Sequence, residues 1–294
     1  MHVSILILAF ATSVMVMASP TYPELTSSNG MPGVLETVSS YFNLLSDKIQ
    51  QARQSAAAPT CDLSRAVFPF NGKPTTHAVT RDMLRFITNF DPAALPSLPP
   101  PSPGLFLKHV AIGRGTQNYT CDADNATAVP IAAGALATLF NASCIAATYP
   151  DVLNLLPRVV LPFNLTNNDI TADETRLFPT NLKLSGHHYF ETATTPFFNL
   201  DTFTAHMGRL PCAKNNTQKA PSATAIGSET DNRGQQGEPA VPWLKLVAKA
   251  GATGGLQEAY RLQTMGGSAP STCAGMPAAF TVQYAAQYWF YARR

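Results

Sequence analysis

After Gly104 the sequence is a succession of short apolar runs, which clusters of Gly, Pro, Asn and Ser separate from one another. The runs are rich in β-branched and aromatic residues or alternate apolar with polar residues, as half-buried strands do. Many short strands with frequent turn signals are typical of sandwiches and barrels. We therefore predict a mostly β domain over residues 105–294, an antiparallel β-sandwich or barrel. The predicted strands are Leu105–Ile112, Thr116–Cys121, Ala137–Phe140, His187–Phe190, Phe197–Phe203, Trp243–Ala248, Leu256–Thr264, Phe280–Tyr284 and Ala286–Ala292.

Three segments of this domain carry further structural signals. Gly113-Arg114-Gly115 predicts a glycine-supported hairpin turn between two strands. The stretch Ala213–Pro239 has few large apolar residues and predicts a long exposed loop. The segment Tyr284–Tyr291 is aromatic on both faces of a strand. Exposed rings there would stack on sugars, but apolar residues on both faces favour a buried central strand.

The region before the β domain is predicted to be helical. Between residues 33 and 53 apolar residues recur every three or four positions, which predicts an amphipathic helix. A second helix is predicted near Thr80–Asn89, before a proline that disfavours helical geometry in its predecessor. The proline-rich stretch Leu95–Gly104 predicts an extended polyproline-II spacer. The predicted organisation is a signal peptide (1–18), an N-terminal helical region with this spacer (19–104) and the β domain (105–294).

The signal peptide is predicted from the apolar run Val3–Met17, which is short for a membrane span and precedes a small residue at Ala18. Neither a second such run nor a hydrophobic tail follows, so we expect no membrane anchor. Acceptor tripeptides of the form N-x-Ser/Thr follow, which predicts a secreted glycoprotein, extracellular or in the cell wall. The acceptors are Asn118, Asn125, Asn141, Asn164 and Asn215.

Cysteine usage and charge narrow the function classes. In an oxidising compartment the five cysteines would form two disulfides and leave one thiol, and the sequence does not select the pairing. The cysteines are Cys61, Cys121, Cys144, Cys212 and Cys273. The net charge is only +2, and Lys and Arg cluster nowhere except at Arg293-Arg294. Because nucleic-acid binding needs a basic face, we expect no nucleic acid as a partner.

The sequence predicts neither a nucleotide cofactor nor a metal. Gly113-Arg114-Gly115 opens like a dinucleotide fingerprint, but that pattern needs a third glycine where Asn118 stands. His187 and His188 are adjacent, and a strand directs adjacent side chains to opposite faces, so the two imidazoles cannot readily share one metal ion. Since no denser His, Asp or Glu motif occurs, we expect no cofactor and no metal site.

Catalytic motifs are equally sparse. The sequence has no G-x-S-x-G nucleophile motif. Glu191 and Asp201 could supply the two carboxyls of glycosidic cleavage, although a chain with 18 acidic residues offers such pairs by chance. If the protein is an enzyme, His188, Arg114 and Tyr260 are the polar side chains to test first as catalytic residues.

Several tracts of the β domain together resemble one known family. They are Gly113–Cys121, Ala137–Cys144, Gly186–Phe190 with Thr195-Pro196, Val241–Leu246, Tyr260-Arg261, Thr264–Pro270 and Tyr288–Tyr291. In these tracts the chain resembles domain-of-unknown-function family 3455, an uncharacterised domain of secreted fungal proteins that also occurs in bacteria. The resemblance implies no catalytic residue, because the family has no established activity. Some members carry the label malate dehydrogenase, but without a nucleotide fingerprint we expect no NAD-dependent malate dehydrogenase here.

The sequence therefore favours a secreted β glycoprotein that binds an extracellular ligand, such as a cell-wall polysaccharide, without turnover. The alternative is an extracellular, hydrolase-like enzyme with an unrecognised active site. A third possibility is an interaction protein that docks through the 33–53 helix, which would require Val38, Phe42 and Leu45 to be exposed.

Overall fold

A computed structural model describes residues 34–54, 61–69, 98–122, 124–163, 176–220, 232–234 and 237–294. Over these residues the chain forms three α-helices and nine strands. The helices are α1 (Val34–Gln54), α2 (Ser143–Thr148) and α3 (Pro150–Val160), and a short 3₁₀ turn spans Leu63–Arg65. The strands are β1 (Phe106–Thr120), β2 (Ile131–Asn141), β3 (Arg176–Leu177), β4 (Leu182–Thr192), β5 (Thr195–Asp201), β6 (His206–Gln218), β7 (Trp243–Ala248), β8 (Leu256–Gly266) and β9 (Ala279–Ala292).

Eight of the strands close into an antiparallel barrel. Their order is β2-β1-β9-β8-β7-β6-β5-β4, and β2 also pairs with β4, so the sheet returns to its first strand. The short strand β3 pairs only with β4 and lies outside the cycle. Closure pairs the edges that an open sheet would leave exposed. Of the two predicted architectures, sandwich or barrel, the barrel is confirmed.

Strand β9 shows how alternation divides the barrel wall into two faces. Tyr284, Tyr288 and Phe290 point into the barrel. They belong to a buried apolar cluster that contains side chains from seven strands. Trp289 and Tyr291 join the cluster that includes the helices, on the outside of the wall. Both faces are buried, so the prediction of a buried closing strand is confirmed. The interior of an eight-stranded barrel is narrow enough for side chains to fill, and aromatic rings pack against one another inside this one.

The helices form a second layer over part of the outer wall. Helix α3 buries Leu153, Leu156 and Val160 against β1, β8 and β9. Helix α1 lies on α3, buries Tyr41 and forms the ion pair Lys48–Asp151 at 2.8 Å. The helix predicted over residues 33–53 is thus confirmed, whereas the one predicted near Thr80–Asn89 lies outside the described residues. Helices α2 and α3, which connect β2 to β3, were not predicted.

One predicted break is wrong, and another was predicted to begin too early. Gly113-Arg114-Gly115 is the middle of the continuous strand β1, because β2 and β9 supply backbone partners on both sides. Gly115 lets β2 lie close to β1 and does not turn the chain, since a Cβ there would collide with the backbone of Leu136 and Ala137. Strand β6 runs to Gln218, into the predicted loop Ala213–Pro239, and pairs with β7. The polar side chains at this end of β6 are exposed or half-buried, so its composition resembles that of a loop.

Two disulfides hold the periphery of the barrel. Cys61–Cys144 joins the segment after α1 to α2. Cys121–Cys273 joins the β1–β2 connection to the β8–β9 connection, at what we term the upper end of the barrel. Cys212 is a free thiol buried inside the barrel. Two disulfides and one leftover thiol match the expected count, and they suggest an oxidising compartment.

None of the helices in the described part of the chain combines the length and apolar character that a membrane span requires.

Candidate functional site

Arg114, the first of the three predicted catalytic residues, is a structural anchor. Its guanidinium is fully buried on the outer wall of β1, under the end of α3. Nη2 donates to Leu161 O at 2.9 Å and Nε to Val160 O at 3.4 Å, so the cation caps carbonyls at the helix C-terminus. Nη1 donates to the backbone oxygens of Gly115 and Tyr284. Burial lowers the pKa of Arg114 to about 10, which leaves it charged at neutral pH.

Tyr260, the second, binds the chain's own proline-rich segment, residues 98–103, on the outer wall of β8. Its hydroxyl donates to Pro99 O at 3.0 Å and lies 3.3 Å from Glu258 Oε2. Burial, followed by the adjacent Glu258 carboxylate, raises the pKa of Tyr260. Lys245 Nζ lies 3.2 Å from Glu258 Oε1 and donates to Pro100 O at 2.8 Å. The buried ion pair and the phenol therefore hold the proline segment against the barrel.

Ser102 completes this attachment and provides a direct test of it. Its hydroxyl donates to Glu258 Oε1 at 2.5 Å and its N–H to Oε2 at 3.2 Å. We expect Ser102→Ala to lower the free energy of unfolding by about 1–2 kcal/mol, because a bond to a buried carboxylate is lost. Urea unfolding measures this, with the exposed Ser271→Ala as control. A loss no larger than that of the control would contradict the assignment.

His188, the third, points into the barrel and contacts neither of the other two. Its Nδ1 donates to Phe197 O at 3.0 Å, and its ring stacks on Phe198 with centroids 4.3 Å apart. Burial lowers the pKa of His188 to about 4, so the imidazole is neutral at physiological pH. Arg114 and Tyr260 bond to other partners on the outer wall, so the structure does not bring the three side chains together.

The adjacent histidines lie on opposite faces, as the sequence predicted: His188 is buried inside and His187 is half-buried on the outer face. In the described ranges, no group of three or more His, Cys, Asp or Glu side chains is placed to hold a metal ion.

A buried serine–histidine–serine chain was missed by sequence reasoning. His109 Nδ1 lies 3.0 Å from Ser143 Oγ, and Nε2 lies 3.0 Å from Ser185 Oγ. The arrangement resembles a nucleophile with its base, but His109 is 1% exposed and Ser185 3%, so a substrate has no access. Burial, then the nearby Lys108 charge, lowers the pKa of His109 to about 4. The chain ties β1, β4 and α2 together, and residues so distant in sequence gave no signal.

The outer face of β4, β5 and β6 combines partly exposed polar side chains and Tyr189 with the buried ring of Phe197. We term it the β4–β6 face; its members are His187, Tyr189, Phe197, Asn199, Asp201 and Arg209. Tyr189 pairs across the strands with Phe197, their ring centroids 5.1 Å apart. His187 pairs with Asn199, which pairs in turn with Arg209. An aromatic pair therefore adjoins a row of planar hydrogen-bonding groups.

Charge on this face is balanced. Arg209 Nε donates to Asp201 Oδ2 at 3.2 Å, and the other carboxylate oxygen accepts the N–H of Gly208 at 2.8 Å. The Arg209 side chain is 61% exposed, so part of its guanidinium remains open to a ligand. Partial burial, then the Glu191 carboxylate, raises the pKa of Tyr189, which keeps the phenol protonated. A protonated phenol both donates and accepts hydrogen bonds.

Glu191 and Asp201, the carboxylates considered for glycosidic cleavage, lie far apart along β4 and β5. Asn199 lies opposite His187 in the antiparallel pair of β5 and β4. From these two residues, Asp201 is two positions along the sheet in one direction and Glu191 is four positions in the opposite direction. At about 3.3 Å per residue the separation is roughly 20 Å. Glycosidases need their carboxyls no more than about 9.5 Å apart. These two residues therefore do not form such a pair.

Docking through helix α1 was the third possibility, and the three side chains that it requires to be exposed are exposed to different degrees. Phe42 is 48% exposed, while Val38 and Leu45 are half-buried. Phe42, Leu45 and Ile49 line a shallow groove of about 310 Å³.

Taken together, the closed wall, the ring-filled interior and the two disulfides define a disulfide-stapled antiparallel β-barrel with a mixed aromatic and polar outer face. The chain belongs to the family described as protein of unknown function (DUF3455), whose model matches residues 101–292. That match runs from the proline segment to the end of β9, so it includes the whole barrel. The chain matches no curated protein and no solved structure.

Proposed function

We propose that the protein is an exported glycoprotein that binds a neutral cell-wall polysaccharide on the β4–β6 face, without turnover. The observation that carries the proposal is the half-exposed ring of Tyr189 beside the planar polar groups of His187, Asn199 and Arg209. A sugar ring has an apolar C–H face and a rim of hydroxyls. An aromatic ring packs against the C–H face, and amide, imidazole and guanidinium groups form hydrogen bonds with the hydroxyls.

The charge of the face supports a neutral ligand. Asp201 compensates the Arg209 cation at 3.2 Å, and Tyr189 and Asn199 carry no charge at neutral pH. An anionic ligand would be better served by several uncompensated cations, as binding sites for phosphate and sulfate usually have.

Export is supported by the two disulfides, which persist in oxidising surroundings. The remaining thiol, Cys212, is buried, and burial raises its pKa, so it is protected from thiol exchange. A protein of the extracellular space or the cell wall fits both observations.

Binding is favoured over hydrolysis by the positions of the polar residues. His188 and the Ser143–His109 pair are enclosed, Arg114 caps a helix, and Tyr260 holds the proline segment. The exposed polar groups of the β4–β6 face, by contrast, can donate and accept hydrogen bonds to a ligand at the surface.

The test is retention on insoluble glucan, chitin and mannan, followed by Tyr189→Ala and Asn199→Ala. We expect retention on at least one polymer and a loss of affinity of roughly tenfold for Tyr189→Ala, because a ring contact is removed. Phe42→Ala on α1 is the matched aromatic control and should bind as wild type does. Absence of retention on all three polymers would reject the ligand class. Loss of binding in Phe42→Ala alone would move the site to α1.

A further inference from the structure

We propose that Asn125 is the glycan acceptor with the highest occupancy among the four acceptors that the structure describes. This inference rests on the export that forms part of the proposed function. It selects one position from acceptor tripeptides that the sequence alone cannot rank.

Asn125 lies in an exposed turn of the β1–β2 connection, at the upper end of the barrel. Its carboxamide Oδ1 accepts the Thr127 hydroxyl at 2.8 Å and the Thr127 N–H at 3.1 Å. Backbone bonds from Asn125 N to Asp122 O and from Ala128 N to Asn125 O hold the turn. The oxygen side of the carboxamide is therefore engaged within the turn, and the nitrogen Nδ2 is left as the group to be modified.

The hydroxyl contact matters for the chemistry of transfer. In N-glycosylation Nδ2 attacks the anomeric carbon of a sugar carried on a lipid diphosphate. A C–N bond forms, the C–O bond to the diphosphate breaks with its electron pair, and Nδ2 gives one proton to a base of the transferase. A hydroxyl that donates to Oδ1 draws electron density away from the carboxamide nitrogen, so the Nδ2 protons become more acidic and the base can take one more easily. The tripeptide Asn125–Thr127 holds that contact in the folded protein.

Asn141 lacks this arrangement. The hydroxyl two residues on belongs to Ser143, which is buried and contacts His109 Nδ1 at 3.0 Å instead. The Asn141 carboxamide accepts the N–H of Ser143, the first residue of α2, at 3.0 Å. In the folded protein the Ser143 hydroxyl is therefore not available to the Asn141 carboxamide.

The remaining two described acceptors lie in strands. Asn118 is half-buried in β1, between Gly134 and Thr281, and its Oδ1 accepts from Thr116 rather than Thr120. Asn215 is exposed, but its tripeptide belongs to β6, where Thr217 pairs with Leu244. Extended backbone sets side chains two residues apart at about 6.6 Å along the strand, so the hydroxyl is carried away from the carboxamide.

The experiment is site occupancy in the full chain secreted by a eukaryotic host. Peptide-N-glycosidase in H₂¹⁸O converts each glycosylated Asn to labelled Asp, and mass spectrometry of the peptides reads the occupancy. We expect the Asn125 peptide to be the most fully labelled. Asn125→Gln and Thr127→Val should each remove that glycan, while Thr127→Ser should keep it. Asn141→Gln should leave the mass of the secreted protein nearly unchanged.

The two proposals fail in different ways. Protein found in the medium with both disulfides but with Asn125 bare, or with another described acceptor more fully occupied, overturns the ranking and leaves export standing. Protein retained in the cytosol with reduced thiols overturns export and the ranking together. Retention on polysaccharide is scored separately on the Asn125→Gln protein, so that a missing glycan and a missing binding face are not confused.

Discussion

Replacing Arg114 with methionine is expected to lower the free energy of unfolding by about 3–5 kcal/mol, a large part of the stability of an ordinary domain. Methionine keeps much of the apolar volume but donates no hydrogen bond. The carbonyls of Val160 and Leu161 at the end of α3, and those of Gly115 and Tyr284 in the wall, would lose the donor that now satisfies them inside the protein. Urea unfolding followed by tryptophan fluorescence measures the loss.

Two further variants make this test specific. Arg114→Lys keeps the charge at the helix C-terminus but loses the fork of donors, so an intermediate loss is expected. Arg209→Met removes an exposed arginine of the β4–β6 face and should cost less than about 1 kcal/mol. If Arg114→Met unfolds no more easily than Arg209→Met, Arg114 does not anchor α3.

The second large effect is a loss of stability between about pH 6.5 and pH 4. Burial lowers the pKa of both His109 and His188 from 6.5 to about 4, so the unfolded chain holds up to two more protons than the folded chain in this window. Stability therefore rises with pH there and the contribution is complete above about pH 6.5. Each histidine accounts for about 3 kcal/mol across the window.

The histidine effect is separable from carboxylate titration by comparing slopes. Unfolding free energies are measured at several values from pH 4.5 to 7.5 for wild type, His188→Asn and His206→Gln. In His188→Asn the carboxamide can donate the hydrogen bond to Phe197 O that Nδ1 now donates. The slope of its unfolding free energy against pH should be smaller than that of wild type by the equivalent of about one proton. His206→Gln, at an exposed histidine, is the control for replacing a histidine as such. Equal slopes for wild type and His188→Asn would show that His188 is not held neutral by the fold.

Local patterns predicted the elements that depend on nearest neighbours. The three-to-four periodicity of residues 33–53 predicted α1, and aromatic residues on both strand faces predicted the buried end of β9. Strand alternation placed His187 and His188 on opposite faces. Each of these inferences uses only the direction in which consecutive side chains point, which the backbone period fixes.

Other features depended on partners far along the chain. Gly113 and Gly115 read as a turn, and only the two flanking strands show that they are central in β1. The polar end of β6, residues 213–218, was predicted as part of a loop, because its strand partner β7 lies far along the sequence. Arg114 and Tyr260 were predicted as catalytic candidates because they are polar residues among strands. The sequence does not indicate which distant backbone carbonyls accept their hydrogen bonds. Their partners are 46 and 161 residues away.

By itself the sequence determined the β class, the first helix, the supply of cysteines for two disulfides and the family. Tertiary structure decided that the strands close through β2 and β4, which cysteines pair, which histidines are enclosed, and that Tyr189, Asn199 and Arg209 share one face. The physical reason is that period and propensity act over a few residues. Barrel closure, disulfide pairing and burial depend on which strands, distant in sequence, pack together and remove their apolar side chains from water.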